Sequence, residues 1–303
     1  MQTLDRRNFL QTAALGAAAL SRAAAAPPPI RLGIVVWVGP SETPDSVVAR
    51  VKKLGFPTCQ IGLNALKRSD AKPLKEALSR HGVEATAILE LGPGPMVWDF
   101  YQGPLTIGVV PKATRRARID AMKLAADVAA DAGIPAIHTH CGFVPENPND
   151  PLFAEVVEAI REVAVHCKRS GRMMLFETGQ ESPITLLRLI QAVNTGNLGV
   201  NLDTANLILY GKGNPVDAMD VIGTYVRGLH AKDGRFPTNP RRLGEEVPIG
   251  KGKVDFRAVI RRLKDVRFQG AMTIEREIEG DQQTKDILES KRYLEKLIAE
   301  VYA

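Results

Sequence analysis

The sequence predicts one (β/α)8 TIM barrel, and three observations predict it. Short apolar runs alternate with helix-like segments eight times between residue 31 and the C-terminus. The runs are apolar nearly throughout, as expected of parallel strands covered by helices. Four of the later runs close on an acidic residue or a histidine, at the strand ends where such barrels place their chemistry.

The elements follow in order. LGIVVWV (32–38) reads as the first strand and Pro44 to Leu54 as a helix. TCQIG (58–62) is the second strand, with a helix from Ala71 to Arg80. VEATAILEL (83–91) is the third, and a Gly/Pro-rich loop then runs to about Pro111. Lys112 to Ala132 is a long amphipathic helix that Gly133 ends. PAIHTH (135–140) is the fourth strand, followed by a helix from Leu152 to Arg169. RMMLFET (172–178) and a helix from Pro183 to Val193 make the fifth unit. LGVNLD (198–203) and a helix near Pro215 to Ile222 make the sixth. YVRGLHAKD (225–233) holds the seventh strand, and a second long loop, 234–253, precedes a helix at Phe256 to Leu263. AMTIER (271–276) is the eighth strand, and Thr284 to Val301 is the closing helix. An open doubly wound sheet is the runner-up, but no GxGxxG or GxxxxGK[ST] follows the first strand.

The composition is that of a globular chain. Of 303 residues, 45% are hydrophobic and 24% charged. The formal charge of +6 is weak support for an anionic partner, and part of it sits at Arg6, Arg7 and Arg22. Three scattered cysteines, with no CxxC pair, exclude a disulfide framework. Cys59 and Cys167 read as core residues, and Cys141, after a strand end, as a buried thiol or a site-lining one.

The four closing residues are Glu177 (MMLFETG), Asp203 (LGVNLDTANL), His230 (YVRGLHAKDG) and Glu275 (GAMTIERE). In a closed barrel they converge on one volume. Two glutamates, an aspartate and a histidine form a mixed oxygen and nitrogen set. Such a set suits one divalent cation, manganese first, with magnesium, cobalt or zinc as alternatives. Polar groups at an apolar barrel mouth are costly unless paired, and a cation satisfies them together. The bland alternative is a hydrogen-bonded polar network without metal.

With FETG, LDTAN, HAKDG and PIGKGKVDF…GAMTIERE, the body from about Leu32 onward resembles the xylose isomerase-like barrel superfamily of sugar isomerases and epimerases. The resemblance implies that Glu177, Asp203, His230 and Glu275 bind one divalent metal, and that Glu177 and Glu275 also move the proton. The implied reaction is proton transfer next to a carbonyl through a metal-stabilised enediolate. Two positions depart from the sugar epimerases. Asn206 stands where many have the His of D-x-x-H, and Pro183 where they have a second Glu. Their chemistry therefore does not carry over whole.

Further candidates are substrate contacts. His140 is read as one, and His138 as a packing histidine facing the other way. Asn206, Lys232 and Glu90 lie at strand ends, Trp37 offers a ring to stack on a sugar, and Arg235 opens the basic loop. Asp233 is read as within reach of substrate, and the GKG at 250–252 as a tight turn. The expected partner is a small carbohydrate, with no nucleic acid and no membrane insertion; a homo-oligomer is left open.

The leading function is a metal-dependent sugar isomerase or epimerase. A lyase or hydrolase on 3-keto-glycosides would use the same chemistry to expel a leaving group. A non-catalytic sugar-binding barrel would lose one or more of the four ligands, and all four are present. A DNA-repair endonuclease of the superfamily needs many histidines, and this chain has five.

Residues 1–30 read as an export signal, leaving 31–303 as the barrel. Arg6–Arg7 with Phe9–Leu10 resembles a twin-arginine address, TAALGAAAL is a weakly apolar stretch, and Ala23 to Ala26 offer a cleavage site. The stretch is shorter than the roughly 18 residues of a membrane span. The expected location is the periplasm or another exported compartment, reached through the twin-arginine machinery. Changing both Arg6 and Arg7 to Lys is expected to hold precursor in the cytoplasm, read by fractionation. Unchanged export would contradict the signal.

Overall fold

Eight parallel strands close into one barrel, and their order around it is their order in the chain. The computed structural model describes residues 30–303, so the expected export signal lies outside the described residues apart from residue 30. The strands are Arg31–Val38, Thr58–Leu63, Glu84–Leu89, Ala136–Thr139, Met173–Glu177, Leu198–Asp203, Val226–Ala231 and Ala271–Ile274. The first pairs with the eighth from Arg31↔Ala271 to Ile34↔Ile274, which closes the cylinder. No described helix is long and apolar enough to cross a membrane.

Alternation along each strand divides its residues between two environments. Ile61, Ile88, Ile137, Phe176, Leu229 and Met272 pack outward into the large core beneath the helices. The other set fills the lumen. Ala87, Ala136 and Leu175 with Met173 form a small separate apolar cluster there. Further along the same faces come His138, Glu177, Asn201 and His230, all buried. The lumen thus changes from apolar to polar toward the C-terminal ends of the strands.

The helices start and stop on local signals. Ser182 caps Pro183–Val193 by accepting from the Thr185 N–H, with proline at the first helical position. Lys112–Ala132 ends at Gly133, whose φ of 80° lets its N–H return to the Ala129 and Ala130 carbonyls.

Both long loops carry structure that periodicity did not foretell, and one buried charge holds each. The first loop contains a helical turn, Gly103–Thr106. The Arg118 guanidinium, 1% exposed, donates to the carbonyls of Pro93 (3.1 Å), Pro95 (2.9 Å) and Gly108 (2.7 Å). The second loop forms a two-residue ribbon between Asp233–Gly234 and Glu246–Val247. The Asp233 carboxylate accepts from the N–H groups of Gly234, Gly250, Gly252 and Val254 at 2.8–3.1 Å. A Cβ at Gly252 would stand 2.1 Å from Asp233 Oδ1, so the GKG turn is glycine to let the backbone reach that carboxylate. Asp233, read from sequence as reaching substrate, serves this loop instead.

Candidate metal centre

The four expected ligands meet. Ligating atoms of Glu177, Asp203, His230 and Glu275 all lie within 4.8 Å of one another. Glu177 and Asp203 end their strands, His230 lies one residue before the end of its strand, and Glu275 follows the last residue of the eighth. Sheet register sets Asp203 beside His230 and His230 beside Thr273, two residues before Glu275 on the same face.

Glu177 is the hub. Its Oε1 lies 3.0 Å from His230 Nδ1, and the Asn206 amide donates to it at 3.3 Å. Its Oε2 lies 2.9 Å from His138 Nε2 and 3.0 Å from His140 Nε2. Burial alone would raise this carboxyl, but the imidazoles of His140, His230 and His138 hold it well below the usual carboxylate range.

The other members differ in charge state. Burial pushes Asp203 up to about 8, against the pull of Lys232. Burial also opposes ionisation of Glu275, but Lys232 and His230 bring it to about 2. Lys232 is 1% exposed, and its ammonium lies 2.9 Å from Glu277, 3.3 Å from Glu275 and 3.6 Å from Asp203. Burial disfavours charge on His230, yet Glu275 and Glu177 keep it protonated well above the ordinary histidine range.

The donor set fits a divalent cation. Asp203 Oδ1 is engaged by the N–H groups of Ala205 and Asn206, while Oδ2 is buried without a hydrogen-bond partner in the cluster. His230 is oriented from behind: its Nε2 donates to Gln60 Oε1 at 2.8 Å, and Gln60 Nε2 donates to Asn201 Oδ1 at 2.8 Å. That leaves Nδ1 facing the carboxylates, 3.2 Å from Glu275 Oε2, as the nitrogen able to ligate. A cation there would displace the Nδ1 proton.

The remaining candidates divide. A cavity of about 420 Å³ opens beside the cluster, lined among others by Trp37, Trp98, His140, Glu177, Asn206 and Glu275. Lys232 sits inside the carboxylate cluster rather than on the cavity wall. Glu90 lines a neighbouring chamber and accepts from the Gly92 N–H at 2.6 Å. Arg235 points away, half exposed and paired with Glu245 at 2.8 Å. Cys141 is a buried thiol that burial pushes well above its ordinary value.

His138 does not face away from His140. Residues two apart on a strand share a face, and both rings reach the same oxygen of Glu177. Gln60, Asn201 and Glu181 went unread in the sequence. The signal for the first two was a lone amide inside an apolar strand, in TCQIG and LGVNLD. Glu181 lies in the loop after the fifth strand, 2% exposed, with neither oxygen hydrogen-bonded among the described residues; burial pushes its carboxyl up to about 7.

Comparison with known proteins gives the family. The xylose isomerase-like TIM barrel family model matches residues 48–297, and the chain belongs to that family. The solved xylose isomerase domain protein from Planctomyces limnophilus is 31% identical, with a TM-score of 0.83 over 91% of this chain and 99% of that one. An uncharacterized protein of Methanocaldococcus jannaschii, MJ1311, is 23% identical over 83% of this chain and 86% of its own length. A D-tagatose 3-epimerase-like protein shares the fold at 19% identity, TM-score 0.70, covering 90% of this chain and 98% of that one. The 3-keto-D-glucoside 4-epimerase YcjR from E. coli shares it at 15%, TM-score 0.65, covering 88% and 99%.

Gln60→Leu is expected to leave the barrel folded but to weaken Mn²⁺ binding about 10–100-fold in calorimetry, the usual loss when a ligand's outer partner goes. Unchanged affinity would show that the Gln60 amide does not orient the ligand.

Proposed function

We propose that this protein is a divalent-metal-dependent sugar isomerase or epimerase, with manganese as the first candidate ion. One observation carries the reading. Two ionised carboxylates from different strands, Glu177 and Glu275, face the same histidine nitrogen, at 3.0 Å and 3.2 Å, at the floor of an open cavity.

A cation held by Glu177, Asp203, His230 and Glu275 would polarise neighbouring substrate oxygens and make the adjacent C–H more acidic. The chain's own groups do the rest. Glu177 and Glu275 are both held as carboxylates, the state a base requires. One takes the proton from the carbon beside the carbonyl, leaving an enediolate and becoming a neutral carboxyl; that carboxyl returns the proton to the neighbouring carbon in an isomerisation, and in an epimerisation the opposite glutamate delivers from the other face a proton it has first taken from solvent. Asn206 and the two imidazoles of His138 and His140 fix Glu177, and Lys232 fixes Glu275. His140 and Trp37 on the cavity wall position the sugar.

A second reading, elimination from a 3-keto-glycoside, uses the same abstraction and expels a leaving group. The E. coli neighbour, a 3-keto-D-glucoside 4-epimerase, supports that substrate class. We further propose that the protein acts outside the cytoplasm; the Arg6–Arg7, Phe9–Leu10 and Ala23 to Ala26 order supports this.

Metal-loaded protein incubated with ketohexoses and 3-keto-glycosides in D₂O is expected to place deuterium at one carbon, read by NMR. Glu177→Gln and Glu275→Gln are each expected to keep much of the metal and to lose about 10²–10⁴-fold in exchange. Near-normal exchange in both variants, with exchange abolished in His140→Ala or Lys232→Ala, would move the proton transfer to those residues.

A further inference from the structure

A second cavity adjoins the carboxylate cavity and differs from it in chemistry. Its volume is about 530 Å³, against about 420 Å³ for the carboxylate cavity. Each lies in the range of small-ligand sites, about 300–1,000 Å³. The two share a wall, because Trp37 and Leu91 line both. Trp37 is the next-to-last residue of the first strand, and its indole lies across Gly62 of the second. A Cβ there would stand 2.3 Å from the ring. The indole is 37% exposed, a large aromatic surface left open at the junction.

The walls of the second chamber are mainly aliphatic, with Leu63, Leu66, Pro93, Met96 and Leu124. Among the described residues Glu90 is its one ionisable lining residue, and no lysine or arginine lines it. Phosphate or another anion would find no counter-charge there. A second hydrophilic sugar ring would bury its hydroxyls with few partners, which is costly. An apolar or aromatic group would meet matching walls and the Trp37 face.

We infer that this chamber is an aglycone site, which takes the aromatic group of a glycoside whose sugar ring lies in the carboxylate cavity. The inference rests on the proposed function and names its substrate class. Trp37 and Leu91 border both cavities, so a molecule laid across the exposed Trp37 ring would extend into each. A free monosaccharide would fill the first and leave the second unused.

Both tryptophans of the chain, Trp37 and Trp98, line the carboxylate cavity, so intrinsic fluorescence reports binding there. The probes are methyl and phenyl β-D-glucopyranoside and their 3-keto derivatives, titrated into metal-loaded protein. The phenyl member of a pair is expected to bind about 10–100-fold tighter than the methyl, the gain for burying an aromatic ring. Leu66→Arg and Met96→Arg, on separate loops, each place a charge in the chamber. Either is expected to bring the phenyl-to-methyl ratio close to one; the two positions guard against misfolding of one variant. Equal binding of phenyl and methyl probes by the wild type would overturn the inference, and so would a ratio unchanged in both variants. If the variants dissociate an oligomer without altering the ratio, the chamber is a contact between copies and the inference falls. Deuterium exchange into a free ketohexose with no binding of any glycoside would remove the aglycone site and leave the proposed function standing. Absence of both exchange and binding would remove the two together.

Discussion

The Glu177 carboxylate, surrounded by the imidazoles of His138, His140 and His230 inside a closed barrel, sets the terms for the rest of the structure. A charge at that depth is costly unless opposite charges and hydrogen bonds enclose it. Three more carboxyl groups crowd nearby, and Lys232 and the His230 ring supply the balancing positive charge. Buried ion clusters of this kind add little net stability over an apolar core. What the cluster offers is a donor set: two glutamates, an aspartate oxygen without a hydrogen-bond partner among the described residues and an imidazole held from behind by Gln60. A cation held by this set would displace the Nδ1 proton of His230, so its binding would release a proton.

Strand alternation makes that convergence possible. Each site residue shares its face with residues two and four positions away. Gly228 precedes His230 and Lys232, Asn201 precedes Asp203, and Leu175 precedes Glu177. Gly228 has no side chain for a reason: a Cβ would meet Asn201 Oδ1 at 2.6 Å and break the Gln60–Asn201 pair behind His230. The cavity walls depend on two further buried charges. Arg118 holds the loop that carries Trp98, and Asp233 holds the loop after the seventh strand. Arg241 from that second loop stacks on Tyr101 of the first, with 5.2 Å from guanidinium to ring, and so links the two rims.

Much of this was legible in the sequence. Eight apolar runs with helices between them specify the barrel, since a parallel strand buried on both faces must be apolar. A polar residue that ends such a run stands out, and for that reason Glu177, Asp203, His230 and Glu275 could be read together. The supporting layer was harder to see. Gln60 and Asn201 are single amides inside strands, and only the closed barrel shows that they touch across 141 positions of sequence. His138 was within reach, because its spacing from His140 already put it on the same face. The loops were opaque for another reason: Arg118 and Asp233 act on backbone groups, and no side-chain pattern marks their partners. Arg235 belongs to the same class, a charge in a basic run that pairs locally with Glu245 and leaves the cavity alone.

The central claim is that the four residues form one cation site in the folded state. Thermal unfolding of the full protein over a range of free Mn²⁺ tests it most directly. A cation bound only by the folded chain stabilises by RT ln(1 + [L]/Kd), about 2.7 kcal/mol when the ion is at 100 times Kd. The account predicts a melting temperature that rises with Mn²⁺ along this curve in the wild type and stays flat in His230→Ala. A flat response in the wild type, or the same rise in both proteins, would contradict it.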